Sequence, residues 1–150
     1  MPATPESILR AWFDGLWNRG DESTIDRLLH ADGVIHGLPT PDGQPIRGPQ
    51  NFRPFYRSFR AAFPDLSIEV LDVVTQGRLA VGRFLVKGTQ RGALPDFPAT
   101  GQSVSFEGFA MCEVDGDQVS TAWNCFDFLT MYRQLGAEIS LPPSARGAGA

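Results

Sequence analysis

The chain has 150 residues, of which 42% are hydrophobic and 20% are charged, and its formal net charge is −4. A chain of this length and composition predicts one folded domain, over residues 1–139. The last segment, LPPSARGAGA at 141–150, has too few apolar side chains to pack into a core, so a disordered tail is predicted over 140–150. The negative charge offers no attraction to nucleic acid, and no apolar run is long enough to cross a membrane, so neither partner is expected. The start of the chain does not resemble a signal peptide, so the cytoplasm is the expected location.

The first part of the chain predicts two helices. Thr4 and Pro5 suit the N-cap and first turn of a helix whose apolar residues form one broad stripe. Trp12, Phe13 and Trp17 belong to that stripe. They either fill the core or line a cavity, and we predict that Phe13 and Trp17 contact a ligand.

A short strand is predicted over residues 32–36, and it carries His36. This histidine is either partly buried against a backbone partner or exposed in a pocket. Because the chain has only two histidines and no Cys-x-x-Cys motif, no metal and no cofactor are expected. Residues 38–49 are rich in proline and glycine and predict a loop that forms a lid or rim.

A third helix is predicted from Pro49 to Phe63. Its aromatic residues fall on one face because they are spaced at helical intervals: Phe52, Phe55, Tyr56, Phe59 and Phe63. We predict that Tyr56 and Phe59 contact a ligand.

The second half of the chain alternates with a period of two and predicts four long antiparallel strands joined by hairpins. A bulge is expected at Val73-Val74 and a tight turn at Asp115-Gly116. Cys112 and Cys125 lie on the two strands that this turn pairs, and both are expected to be reduced core thiols. Asp127 is placed to cap a short last helix that ends at Gly136. Helices followed by a strand meander indicate an α+β fold, with the sheet curled around the aromatic helices.

Four segments carry a family pattern in the right order: FPDL at 63–66, VGRF at 81–84, GTQRGALPDFPATGQSVSFEG at 88–108 and DGDQVSTAWNCFDFLTMYRQLG at 115–136. Together they resemble the SnoaL-like polyketide cyclase family of the nuclear transport factor 2-like superfamily. The resemblance covers about residues 5–137. It departs from the family pattern at Gln90, where histidine is usual, and at Gln118-Val119, where Lys-Ile is usual.

The resemblance implies a conical α+β barrel in which a curved antiparallel sheet wraps around the N-terminal helices, with a short C-terminal helix. It also implies a dry pocket between sheet and helices for a small hydrophobic molecule, and a homodimer formed through sheet packing. The named cyclases of the family use an aspartate just after the strand tryptophan as acid and base. At that position this chain has Asn124, which cannot exchange a proton near neutral pH but can form hydrogen bonds.

Five residues are candidates for catalysis. His36 or Glu107 is the candidate base, Arg83 and Asn124 are candidates for stabilising an oxyanion, and Asp127 is a further candidate beside its capping role. Glu107 alternatively faces outward or pairs with Arg83. Six aromatic residues are the predicted ligand contacts: Phe13, Trp17, Tyr56, Phe59, Phe109 and Trp123. Strand alternation places Asn124 and Trp123 on opposite faces, so both cannot point into one pocket.

Two functions follow from these residues. The first is an enzyme that moves a proton next to a carbonyl group, or closes a ring, on a small hydrophobic carbonyl or polyketide-like compound. The second is a non-catalytic module of the same fold that binds a small ligand. Asn124 in the acid position and Gln90 in the histidine position favour the second.

Overall fold

The elements follow most of the predicted order: a helical stretch and a short helix, a strand, a third helix, four long strands and a last helix. The computed structural model describes residues 2–95 and 97–143, so residues 144–150 of the predicted tail lie outside the described residues. The helical elements are α1 (Pro5–Ala11), a π-helical segment (Trp12–Asn18), α2 (Ser23–Leu28), α3 (Gly48–Ala62) and α4 (Phe128–Gln134). Thr4 caps α1 as predicted, because its side chain accepts a hydrogen bond from the backbone of Ser7.

The described strands form a single six-stranded sheet. They are β1 (Leu29–His36), β2 (Ile46–Arg47), β3 (Ser67–Gln76), β4 (Leu79–Thr89), β5 (Ser103–Asp115) and β6 (Gln118–Phe126), in the order β2-β1-β6-β5-β4-β3. The four long strands β3 to β6 are antiparallel neighbours, as predicted. The sequence did not predict β2, nor that β1 runs parallel to β6.

Two local predictions were wrong by one to three residues. Asp115 pairs with Gln118, so the two-residue turn is Gly116-Asp117 rather than Asp115-Gly116, and Gly116 has φ of 65°. The irregularity in β3 falls between Val70 and Asp72 rather than at 73–74. Both differences come from cross-strand register, which the partner strand sets and the local pattern does not.

The core lies between the concave face of the curved sheet and the helices. Residues of β4 and β5 alternate strictly between the core and the outer face, and Phe84 and Phe106 are among the buried ones. Burial of one such side chain contributes about 1.5–3 kcal/mol. Asp127 caps α4, whose Met131 is fully buried and closes one end of the core. The predicted α+β class, with a curved sheet around N-terminal helices and a short C-terminal helix, is confirmed.

Candidate active site

A cavity of about 80 Å³ lies between the inner face of the sheet and the helices. Aromatic residues form its helical wall: Trp12, Phe13, Trp17, Phe52, Phe55 and Phe59. The strands add mostly aliphatic and aromatic side chains, together with Cys112 and Asn124. Among the described residues that line the cavity there is no histidine, carboxylate, lysine or arginine.

The size of the cavity limits what it can hold without rearrangement. Pockets for drug-sized ligands measure about 300–1,000 Å³, and this cavity is several times smaller. A ligand of that size therefore fits only if side chains of the wall move. Trp12, Leu38, Phe55 and Phe128 are the partly exposed wall residues on helices and loops, so they have the most freedom to do so.

Among the described residues of the wall, Asn124 is the one side chain with an amide, and a hydrogen bond fixes its orientation. Strand alternation places it on the inner face of β6 with Ala122 and Phe126, which also line the cavity. Its Nδ2 donates a hydrogen bond to the backbone carbonyl oxygen of His36 at 3.0 Å. Its Oδ1 accepts a hydrogen bond from no residue in the described part of the chain. The amide therefore offers a ligand one acceptor and one remaining N–H.

Gly37 makes that hydrogen bond possible. It has φ of 83°, and a Cβ built on it would overlap the backbone carbonyl oxygen of Asn124. Glycine is the residue that adopts this conformation without strain and lets two backbones approach so closely. The end of β1 therefore lies directly against Asn124.

Arg83 and Glu107 lie on the outer face of the sheet, away from the cavity. Arg83 donates to Asp72 Oδ2 through Nε at 2.8 Å and to Glu107 Oε1 through Nη1 at 3.0 Å. The hydrogen bond with Asp72 raises the pKa of the Arg83 guanidinium, which stays charged. The sequence left open whether Glu107 pairs with Arg83, and the structure shows that pair. Both paired groups lie on the face of the sheet opposite to Asn124.

Three more predicted site residues share the outer face. The ring of His36 stacks on Trp123, with ring centroids 5.9 Å apart and planes 9° from parallel. Trp123 is 38% exposed and Phe109 is 52% exposed. None of the three lines the cavity. His36 thus contributes its backbone to the site and keeps its imidazole outside.

Asp127 and Tyr56 are occupied by structural hydrogen bonds. The Asp127 carboxylate accepts from the backbone N–H and the hydroxyl of Thr130, and these bonds lower the pKa of Asp127. The Tyr56 hydroxyl donates to the carbonyl oxygen of Leu16 at 2.9 Å, and Tyr56 does not line the cavity. Of the predicted ligand contacts, Phe13, Trp17 and Phe59 do line it.

Gln90, which stands where the family pattern has histidine, is fully buried at the start of the loop over residues 90–102. Its Oε1 accepts from the backbone and hydroxyl of Thr100 at 3.1 and 2.6 Å, and its Nε2 donates to the Pro98 carbonyl oxygen at 3.1 Å. All of these partners belong to the loop. The side chain of Gln90 therefore stabilises the conformation of the loop through hydrogen bonds, and it does not line the cavity.

The sequence missed several residues of the wall. Phe52 and Phe55 belong to the aromatic face of α3, and that face was the available signal for them.

Both cysteines were predicted as core thiols. That prediction was wrong for Cys125, which is exposed because alternation along β6 places it on the outer face with Trp123. Cys112 is buried and also lines the cavity, and burial raises its pKa to about 11. Alternation along β5 places Cys112 on the same face as Phe106 and Ala110, and this spacing could have identified it.

Two general features can be stated for residues 2–95 and 97–143. They contain no group of three or more histidine, cysteine, aspartate or glutamate side chains placed to hold a metal ion. They also contain no helix long and apolar enough to cross a membrane.

The chain was compared with known proteins. The profile of the family described as SnoaL-like polyketide cyclase matches residues 7–135. TsrD from Streptomyces laurentii has a similar structure, with a TM-score of 0.76 and 27% identity over 89% of this chain and 95% of that chain. Wild-type IdmH from Streptomyces antibioticus gives a TM-score of 0.76 and 28% identity over 90% of this chain and 100% of that chain.

A SnoaL-like polyketide cyclase from Agrobacterium tumefaciens str. C58 has the same fold, with a TM-score of 0.73 and 22% identity over 89% of this chain and 99% of that chain. Comparison with curated protein sequences gave no match. The family profile spans most of the chain, including the cavity wall and the strand that carries Asn124. The chain belongs to the SnoaL-like polyketide cyclase family.

Proposed function

We propose that the protein is a cyclase-type enzyme that binds a small, largely apolar, polyketide-like carbonyl compound in the cavity and closes it into a ring. Membership of the family supports the reaction class. The observation that carries the proposal is the position of Asn124, an oriented amide in an otherwise apolar wall. A polar group placed in this way fixes the orientation of a ligand that the apolar wall binds.

The ring closure that fits this site uses a proton of the substrate. A methylene group between two carbonyls readily forms an enol. The enol carbon attacks a second carbonyl carbon of the same molecule, so a C–C bond forms and that C=O becomes a C–O single bond. The hydroxyl proton of the enol passes to the new alkoxide oxygen, and the enol oxygen becomes a carbonyl again. The product is an isomer of the substrate.

In this proposal Asn124 is the only one of the five predicted catalytic residues that touches the substrate. Its remaining Nδ2–H donates to the carbonyl oxygen that becomes the alkoxide, and Phe13, Trp17 and Phe59 hold the carbon chain folded. Correct positioning of two reacting groups can supply about 7–11 kcal/mol of the barrier without a protein acid or base. The outward placement of His36, Arg83 and Glu107 is consistent with this division of work.

The test is turnover of synthetic linear β-polyketone thioesters of increasing chain length, followed by mass spectrometry and NMR. We expect a cyclic product of unchanged mass or, after dehydration, one water lighter. Asn124→Leu should lower kcat/KM by about 10- to 100-fold, since it removes the donor to the developing alkoxide. Asn51→Leu is the matched control, because its amide makes the same kind of bond to a backbone carbonyl, that of Arg47, on an exposed face.

A ligand-binding module without catalysis is the second candidate. It is favoured by the absence of a carboxylate or histidine among the described residues of the wall. Recovery of a tightly bound thioester unchanged after long incubation, with wild type and Asn124→Leu alike, would support the module and reject the enzyme.

We also propose that the protein is a homodimer formed through the outer face of the sheet. Phe109 and Trp123 are large apolar side chains exposed side by side on this face, and a second copy would cover them. Sedimentation should give a dimer at micromolar concentration, and Phe109→Lys should shift it to monomer. A strict monomer for the unaltered chain would reject this proposal.

A further inference from the structure

The first helix changes its winding where it reaches the cavity. Residues Trp12–Asn18 are π-helical, and the N–H of Arg19 donates to the carbonyl oxygen of Asp14, five residues earlier, at 2.9 Å. π-helical winding is rare and occurs mostly as short insertions in α-helices. Such insertions are frequently found at functional sites. The segment contributes Trp12, Phe13 and Trp17 to the wall.

The winding decides which indoles face the cavity. Trp12 and Trp17 are five residues apart, and in an α-helix they would point about 140° apart. When hydrogen bonds join residues five apart, such residues lie about one turn above each other. Both indoles line the cavity, and Phe52 lies next to both, with centroid distances of 5.2 Å to Trp12 and 6.4 Å to Trp17.

Two side chains of α3 hold the end of the π-helical segment. The hydroxyl of Tyr56 donates to the carbonyl oxygen of Leu16 at 2.9 Å, and Nη1 of Arg60 donates to that of Trp17 at 2.8 Å. Carbonyls in the last turn of a helix lack partners within the helix, so these two bonds replace the missing ones. Tyr56 and Arg60 are one turn apart on α3 and thus present both donors to the same side.

Two glycines leave room for the contacts that the π-helical segment makes with α2 and α3. Gly20 ends the segment with φ of 72°, and a Cβ there would lie 3.4 Å from Nη2 of Arg60. Gly15 lets the buried Thr24 of α2 approach, since a Cβ at Gly15 would lie 3.0 Å from Thr24 Oγ1. Burial raises the pKa of Tyr56, so its hydroxyl stays protonated and remains a donor at neutral pH.

We propose that Tyr56 and Arg60 are positioning residues: they hold the π-helical winding that keeps Trp12 and Trp17 on one wall of the cavity, and so they set its affinity for flat, conjugated ligands. The ligand class rests on the proposed function, because it assumes that the cavity is the binding site. The role of Tyr56 is then indirect, through Leu16, rather than contact with the ligand.

The test uses Tyr56→Phe and Arg60→Met in a Trp123→Phe background, which leaves Trp12 and Trp17 as the only tryptophans. The probe is the neutral dye N-phenylnaphthylamine, and its binding is followed by energy transfer from the indoles. Tyr132→Phe and Arg57→Met are the matched controls, because neither residue bonds to the π-helical segment. Near-UV circular dichroism reports the geometry of the two indoles without any ligand.

We expect Tyr56→Phe and Arg60→Met each to raise the Kd of the dye by about five-fold, the effect of one lost hydrogen bond. Both should also change the near-UV dichroism of the indoles, while the controls change neither. The proposal is overturned if both variants keep the dichroism of the background protein and a Kd within about two-fold of it, even with a lower melting temperature. If the background protein binds no dye, the binding function fails, and the dichroism alone decides the positioning role. Arg60→Met decides it if Tyr56→Phe does not fold.

Discussion

The side-chain nitrogen of Asn124 and the backbone carbonyl oxygen of His36 are joined by a 3.0 Å hydrogen bond across the parallel strands β6 and β1. The imidazole of His36 lies on the opposite face of the sheet, stacked on Trp123. One residue thus orients the amide of the cavity while its own titratable group stays outside. Among the described residues that line the cavity there is no carboxylate or imidazole, and Asn124 stands at the position where the resemblance implies an aspartate.

Asn124→Asp should make stability depend on pH. A carboxylate cannot donate to the His36 carbonyl oxygen, so the folded variant favours the protonated acid and its pKa rises above the unfolded value of about 3.9. A raised folded pKa means that relative stability is retained in acid and lost as the pH rises through the folded pKa. We expect a cost of about 1–3 kcal/mol at pH 7 that shrinks towards pH 4, measured by urea unfolding. Asn51→Asp, on an exposed helix face, is the control. A cost that stays constant from pH 4 to 8 would contradict this account.

Gly37→Ala should be far more damaging than the same change at another glycine of similar conformation. Gly37 has φ of 83° and its new Cβ would overlap the Asn124 backbone, whereas Gly43 has φ of 68° and nothing within 4 Å. Gly43→Ala should cost about 1–2 kcal/mol, from the left-handed conformation alone. Gly37→Ala adds a backbone clash and should cost at least about 3 kcal/mol or prevent folding. Thermal unfolding of the two variants measures both losses of stability. Equal losses would contradict the close contact between Gly37 and the backbone of Asn124.

Local patterns in the sequence were enough to find the elements that depend on local chemistry. Thr4, Asp127 and Gly136 act at the helix ends where they were predicted, because a cap needs only its own neighbours. The parallel pairing of β1 with β6 joins segments about 90 residues apart, and no local pattern encodes it. That pairing is what brings His36 to Asn124.

The candidate site was harder to predict because a shift of one residue decides the face of a strand. Arg83 pairs with Phe109 and Phe109 pairs with Cys125, so Arg83 shares the face of Cys125 and not that of Asn124. The sequence could predict alternation but not which set faces inward at β4. The sequence also did not predict the π-helical winding, since the spacing of Trp12, Phe13 and Trp17 is compatible with an ordinary α-helix.

The thiol of Cys112 should react slowly with alkylating reagents, although it lines the cavity. Burial raises its pKa to about 11, so very little thiolate exists at neutral pH. In a Cys125→Ser variant, where Cys112 is the only thiol, iodoacetamide should react very slowly at pH 7.5 and much faster after unfolding in urea. Cys112→Ser provides the comparison, because it leaves the exposed Cys125. Rapid labelling of Cys112 in the folded state would show that the cavity wall opens readily.

Asp65 should contribute to stability at neutral pH and stop doing so in acid. Its carboxylate accepts from the backbone N–H of Thr89 at 2.7 Å and from the Thr89 hydroxyl at 2.8 Å, and these bonds lower its pKa, the backbone bond most. A lowered folded pKa gives stability that is present above the unfolded pKa of about 3.9 and is lost as the pH falls through the folded value. Asp65→Asn should therefore have a lower free energy of unfolding than wild type at pH 7 and converge with it as the pH falls through the lowered folded pKa. Asp32→Asn is the control, because no described residue bonds to the Asp32 carboxylate. A difference for Asp65→Asn that persists unchanged in acid would mean that side-chain shape, and not the charge, matters at this position.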